Sequence, residues 1–93
     1  MELNEALGLV IKNLRNLKEL PQEGLGPSQS YISAIERGKW QPSITKVEQI
    51  AEVVGIHPLT LLVLAYQKQE PGLKSDELLK TIQREITSLK GCQ

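Results

Sequence analysis

An all-α fold is the class this sequence predicts, and three observations predict it. Apolar residues recur at spacings of three and four, as in Leu3, Leu7, Val10, Leu14 and Leu17, which is the period of a helix with one buried face. Leu and Ile dominate the apolar set and Phe is absent, a composition that favours a helical core over a sheet. Twice the chain runs from a capping serine, through an apolar stripe, to a glycine that stops it.

The elements follow in order. The first stripe predicts a helix over 3–19, ending before Pro21. The stretch "PQEGLGP" at 21–27 holds two prolines and two glycines, so nothing longer than one helical turn fits there. Ser28 caps a helix to Arg37 with Ile32 and Ile35 on its buried face, and Gly38 suits the left-handed residue that ends it. Ser43 caps the next helix, with Ile44, Val47, Ile50, Ala51 and Val54 as its stripe and Gly55 as its stop. Pro58 suits the first turn of a helix over 58–68. "QEPG" at 69–72 is a break. Ser75, followed by Asp76 and Glu77, starts a last helix to about Lys90, its acids favoured by the N-terminal dipole. The chain therefore divides into a domain at 1–68 and a hinge with one appended helix at 69–93.

Composition bounds the function. Lys and Arg number 11, as do Asp and Glu, so the net charge is zero; a nucleic-acid partner must be met by local clustering rather than by bulk charge. The single cysteine, Cys92, excludes a disulfide within the chain and fits an inert thiol in a reducing compartment. "MELNEALGLV" lacks the features of a signal peptide, and "HPLTLLVLAY" is too short to span a bilayer. A soluble, cytoplasmic protein is expected. No second histidine, cysteine cluster or paired carboxylates offer a metal site or acid–base chemistry, so neither an enzyme nor a cofactor is expected.

"SQSYISAIERGKW" at 28–40 carries the functional signal. A helix fits the DNA major groove, and the side chains of its first turns reach base edges. Gln can hydrogen-bond an adenine edge with both amide atoms, Ser can donate or accept, and an Ala or Tyr carbon can meet a thymine methyl. Gln29, Ser30, Ser33 and Ala34 are expected opposite Ile32 and Ile35. Arg37, Lys39 and Trp40 follow where a loop would cross the sugar–phosphate backbone. Tyr31 and Trp40 suit either DNA contact or packing at the core edge.

The ordered set Gln22-Glu23, Ser28-Gln29-Ser30, Ile35-Glu36-Arg37-Gly38, Pro42-Ser43 and Ile50-Ala51 resembles the Cro/phage-repressor (XRE) class of bacterial helix-turn-helix regulators over about residues 5–66. The resemblance implies a five-helix, lambda-repressor-like DNA-binding domain in which Gln29 reads a base. Ser28, Ser30, Tyr31, Ser33 and Ala34 join it at the DNA, and Gln22 and the 38–40 loop hold phosphates. It also implies that Arg15 pairs with Glu36. One departure stands out: the passage from Gln22 to Ser28 is four residues shorter than the family pattern, slightly more than one turn. The family's second helix must therefore shrink to a single turn or an irregular loop, with Leu25 as its only core anchor.

Two features point to assembly. The segment Leu59, Leu61, Leu62, Val63, Leu64 and Ala65 is apolar nearly all round, which requires burial on more than one side. Leu79, Ile82, Ile86 and Leu89 form a two-heptad seam. Leu61, Leu64 and these four are the expected dimerisation residues, the alternative being that the last helix folds back on its own domain. The resulting expectation is a nucleoid-associated repressor that binds a two-fold symmetric operator as a homodimer. The competing expectation is an antitoxin-like helical module that clamps a partner protein.

Overall fold

The computed structural model describes residues 1–26 and 28–90; Pro27 and residues 91–93, including Cys92, lie outside the described residues. Described residues form helices α1 (Leu3–Leu17), α2 (Gln29–Glu36), α3 (Ile44–Val54), α4 (Pro58–Gln69) and α5 (Ser75–Leu89), with a single 3-10 turn at Gln22–Leu25 between α1 and α2. That turn stands where the shortened second helix was expected.

Local chemistry sets the ends. The Glu5 carboxylate accepts the Glu2 N–H at 3.2 Å, satisfying one of the amides that a helix start leaves unpaired. Ser28 Oγ accepts from Tyr31 N–H at 3.2 Å, and Ser43 Oγ accepts from Lys46 N–H at 3.1 Å. His57 caps α4 through Nδ1, which accepts from Leu59 N–H at 3.0 Å. Gly38 and Gly55 end α2 and α3 at φ 75° and 89°, where a side chain would be strained. At the start of α5, Lys74 occupies the cap position and Ser75 is already helical.

α1 stops at Leu17, two residues before its expected end. Leu20 precedes Pro21 and is biased away from helical geometry. The chain turns at Glu19, with φ 56°, and Leu20 N–H returns to the Arg15 carbonyl at 2.9 Å. This is a glycine's place held by a glutamate. Replacing exposed Glu19 with Gly should raise stability by about 1 kcal/mol, net of glycine's greater freedom in the unfolded chain. Urea denaturation measures it, and no gain would mean that Glu19 bears no strain.

The core is aliphatic. Ile11, Ile32, Ile35, Ile50 and Leu61 are fully buried, and Leu7, Val10, Leu25, Val47, Ala51, Val54 and Ala65 complete the cluster. Helix α4 packs on both α1 and α3, which explains its nearly uniform apolarity. Leu61 lies inside its own domain with no exposed surface, and Leu64 is half-buried against the same core. This corrects the assignment of Leu61 to a dimer interface: within the family-sized domain, the demand for burial on two sides is met by α1 and α3. Leu59 remains 63 % exposed, at the rim of an apolar groove of about 660 Å³ that also involves Leu3, Ile44 and Leu62.

Helix α5 stands apart. It has no buried residue, and the Cα radius of gyration is 14.4 Å, against about 12 Å for a compact chain of this length. The fold-back alternative is therefore not what the structure adopts. Among the described residues, no single helix is long and apolar enough to cross a membrane.

Candidate nucleic-acid interface

Helix α2 is held from behind by α1. Arg15 donates from Nε to Glu36 Oε2 at 2.7 Å and from Nη2 to Oε1 at 3.1 Å. Glu36 is only 5 % exposed, so this is a bidentate pair beneath the surface, the geometry in which carboxylate and guanidinium bind best. The bond to Glu36 raises the Arg15 pKa above its ordinary value, against the lowering effect of burial. Arg15 Nη1 also donates to the Leu20 carbonyl at 3.0 Å, tying the end of α1 to the same network. Among the described residues, no buried side-chain polar atom lacks a partner.

Gln22 joins this network, with Nε2 donating to Glu36 Oε1 at 3.0 Å. Gln22 is half-buried there, so part of the side chain expected to hold a phosphate is engaged by the carboxylate. Gln22 is the first residue of the 3-10 turn.

Two further contacts fix the C-terminal end of α2. Asn4 Nδ2 donates to the Gly38 carbonyl at 2.8 Å. Gly8, buried in α1, lies so close that an added Cβ would sit 2.8 Å from the Glu36 carbonyl oxygen and nearer still to that of Ile35. Asn4, Gly8 and Arg15 fall on one stripe of α1, at spacings of four and seven.

The opposite side of α2 is open. Gln29, Ser30 and Arg37 are exposed and Ser33 is half-buried; at about 100° per residue these four occupy an arc of roughly 100°. Arg37 lies along that face, its Nε donating to the Ser33 carbonyl at 3.3 Å. Ala34 does not belong to the arc: it is 8 % exposed, on the side to which the chain returns after Gly38, where Lys39 N–H donates to the Ala34 carbonyl at 2.9 Å. Ala34 is thus corrected from a base-facing residue to a packing residue.

The loop beyond α2 is built on aromatic contacts. Tyr31 and Trp40 meet edge to face, with ring centroids 6.0 Å apart at 78°, a favoured arrangement. Lys46 Nζ lies 5.4 Å from the Tyr31 ring centroid, within cation–π range. Tyr31 therefore packs at the core edge, while Trp40 stays 59 % exposed. Lys46 was missed by the sequence reading, which saw only the apolar stripe of α3; its approach to α2 depends on the tertiary fold. Arg37 and Lys39 thus stand at the end of α2 and in its loop, while Lys46, on the first turn of α3, reaches the first turn of α2 beside Tyr31. Arg37 and Lys39 supply local positive charge to a chain with none in excess, and Glu36, the carboxylate nearest them in sequence, is occupied by Arg15.

The arrangement presents hydrogen-bonding groups on the first turns of a short exposed helix, with cations at its far end. That matches what a major groove and its flanking phosphates require. Among the described residues there is no group of three or more His, Cys, Asp or Glu that could hold a metal ion.

Comparison with known proteins agrees with this geometry. Residues 11–61 match the helix-turn-helix family model HTH_3. The chain is 30 % identical over 66 residues to the uncharacterized HTH-type transcriptional regulator y4dJ of Sinorhizobium fredii, covering 67 % of this chain and 86 % of the relative. It is 34 % identical over 70 residues to the ImmF control region 10 kDa protein of Bacillus phage phi105, covering 71 % of this chain and 78 % of the relative. No solved structure matches significantly. With more than half of its length matched, the chain belongs to the XRE-type helix-turn-helix family of DNA-binding transcriptional regulators.

Proposed function

We propose that this regulator is a repressor that occupies a two-fold symmetric operator as a homodimer, residues 1–68 reading DNA and residues 69–93 joining the two copies. The observation that carries the reading is the open polar arc of α2, whose buried sides are fixed by α1. Gln29 reads a base edge, with Ser28, Ser30 and Ser33 beside it. Arg37, Lys39 and Lys46 bind phosphates, and Trp40 lies against the sugar–phosphate backbone. A neutral monomer offers few cations, so two copies are needed for useful affinity at physiological salt.

The test is Gln29→Ala. On an operator found by footprinting upstream of the protein's own gene, it should cost roughly 1–3 kcal/mol, and on random DNA almost nothing, because base contacts are lost and phosphate contacts kept. Gel shifts on both DNAs decide it. Equal losses on the two would remove Gln29 as a reader of sequence, and a wild-type protein that prefers no DNA would remove the operator reading altogether.

A further inference from the structure

The seam on α5 lacks a partner within the chain, yet it follows a pairing pattern. Leu79, Ile82, Ile86 and Leu89 are all exposed. A helix of 15 residues with no packed face is marginal in water, so something that covers the seam contributes to its stability. The three-four-three spacing assigns Leu79 and Ile86 to a positions and Ile82 and Leu89 to d positions of two heptads. Glu85 is then the g residue of the first heptad and Lys90 the e residue of the second. Neither has an opposite charge three or four residues away on its own helix. Among the described residues the one ion pair is Arg15–Glu36, so these two charges are unengaged.

We infer that α5 pairs with α5 of a second copy, side by side and pointing the same way. In that orientation a g residue faces the e residue five positions on in the other helix, so Glu85 meets Lys90 of the second copy, twice by symmetry. The opposed orientation brings Asp76, the preceding e residue, to Lys90 but also sets Glu85 against Glu85 across the axis, so only the parallel one is free of a like-charge contact. The parallel pairing also leaves both reading domains, which precede α5, at one end of the zipper. That is the disposition needed by two half-sites on one duplex, and this step rests on the operator reading above. Two heptads make a short zipper, so the dimer dissociates on dilution and its charged flanks weigh heavily in its affinity.

Sedimentation equilibrium on the full chain without DNA tests the pairing. Glu85→Lys alone and Lys90→Glu alone should each weaken dimerisation by about tenfold, since each turns two attractive contacts into repulsive ones. An equal mixture of the two variants should form heterodimers about as tight as the wild type, because both flanks are then complementary again. Both substitutions are at exposed positions, so folding of the domain is not at stake. An unchanged dimer in Glu85→Lys overturns the parallel arrangement, as the opposed one merely exchanges Glu–Glu for Lys–Lys. A wild-type chain that stays monomeric at all concentrations overturns the second copy as occupant and leaves the seam to a different protein. Because no DNA is present, either failure leaves the reading by α2 untouched, and loss of operator binding alone leaves the pairing standing.

Discussion

Arg15→Leu should destabilise the fold by roughly 3–5 kcal/mol, because it leaves the Glu36 carboxylate buried without a charge to meet it. Gln22 remains as a donor to Oε1, but an amide supplies one hydrogen bond and no charge. The same change removes the bond from Arg15 to the Leu20 carbonyl, so the end of α1 loosens as well. Changing Arg15 and Glu36 together to Leu should recover much of the loss, since replacing a buried pair by apolar groups is often neutral. Thermal and urea melts of the single and double variants check both statements. A single variant that melts like the wild type would mean that water solvates Glu36 as well as Arg15 does.

Gly8→Ala should also be costly, by about 3 kcal/mol, and here the sign is the informative part. In an exposed helix interior, Gly to Ala gains about 1 kcal/mol. At Gly8 the new methyl would collide with the carbonyls of Ile35 and Glu36, backbone atoms that cannot swing aside as a side chain can, so overpacking outweighs propensity. Gly72→Ala is the control, because nothing lies within 4 Å of a Cβ built there. If Gly8→Ala matched the control in a urea melt, α1 and α2 would be less closely packed than described.

The difference between these two sites marks what could be read from the sequence. Arg15 and Glu36 were legible only through the family resemblance, since nothing local links residues 21 positions apart. Gly8 was not legible, because a glycine inside a helical pattern looks like a small local cost until the helix it touches is known. The caps at Ser28, Ser43, Gly38 and Gly55 were legible, because they act on backbone groups a few residues away, whereas the start of α5 fell one residue earlier, at Lys74. Ala34 and Leu61 were misplaced for a common reason. A helical wheel gives the direction of a side chain but not how much of the circumference neighbours cover. α2 is covered on all but an arc of roughly 100°, and the side of α4 that carries Leu61 faces its own domain. The α5 seam was visible as a heptad pattern, but only the folded chain places it away from the core.

The anchoring of α2 at one end has a further consequence. Asn4, Gly8 and Arg15 grip the last residues of α2 and the glycine after it, while Gln29 sits at its first residue. The eight residues between make a rod of about 12 Å. Pivoted at its base by 10°, such a rod sweeps its tip through about 2 Å, more than the whole spread of distances over which a hydrogen bond is good. On the reading proposed above, the aim of α2 is therefore sensitive to its packing at the end away from Gln29. Substitutions along that stripe of α1 should retune which base sequence is preferred while leaving every DNA-touching side chain unchanged, so the operator choice of relatives can diverge with identical recognition residues.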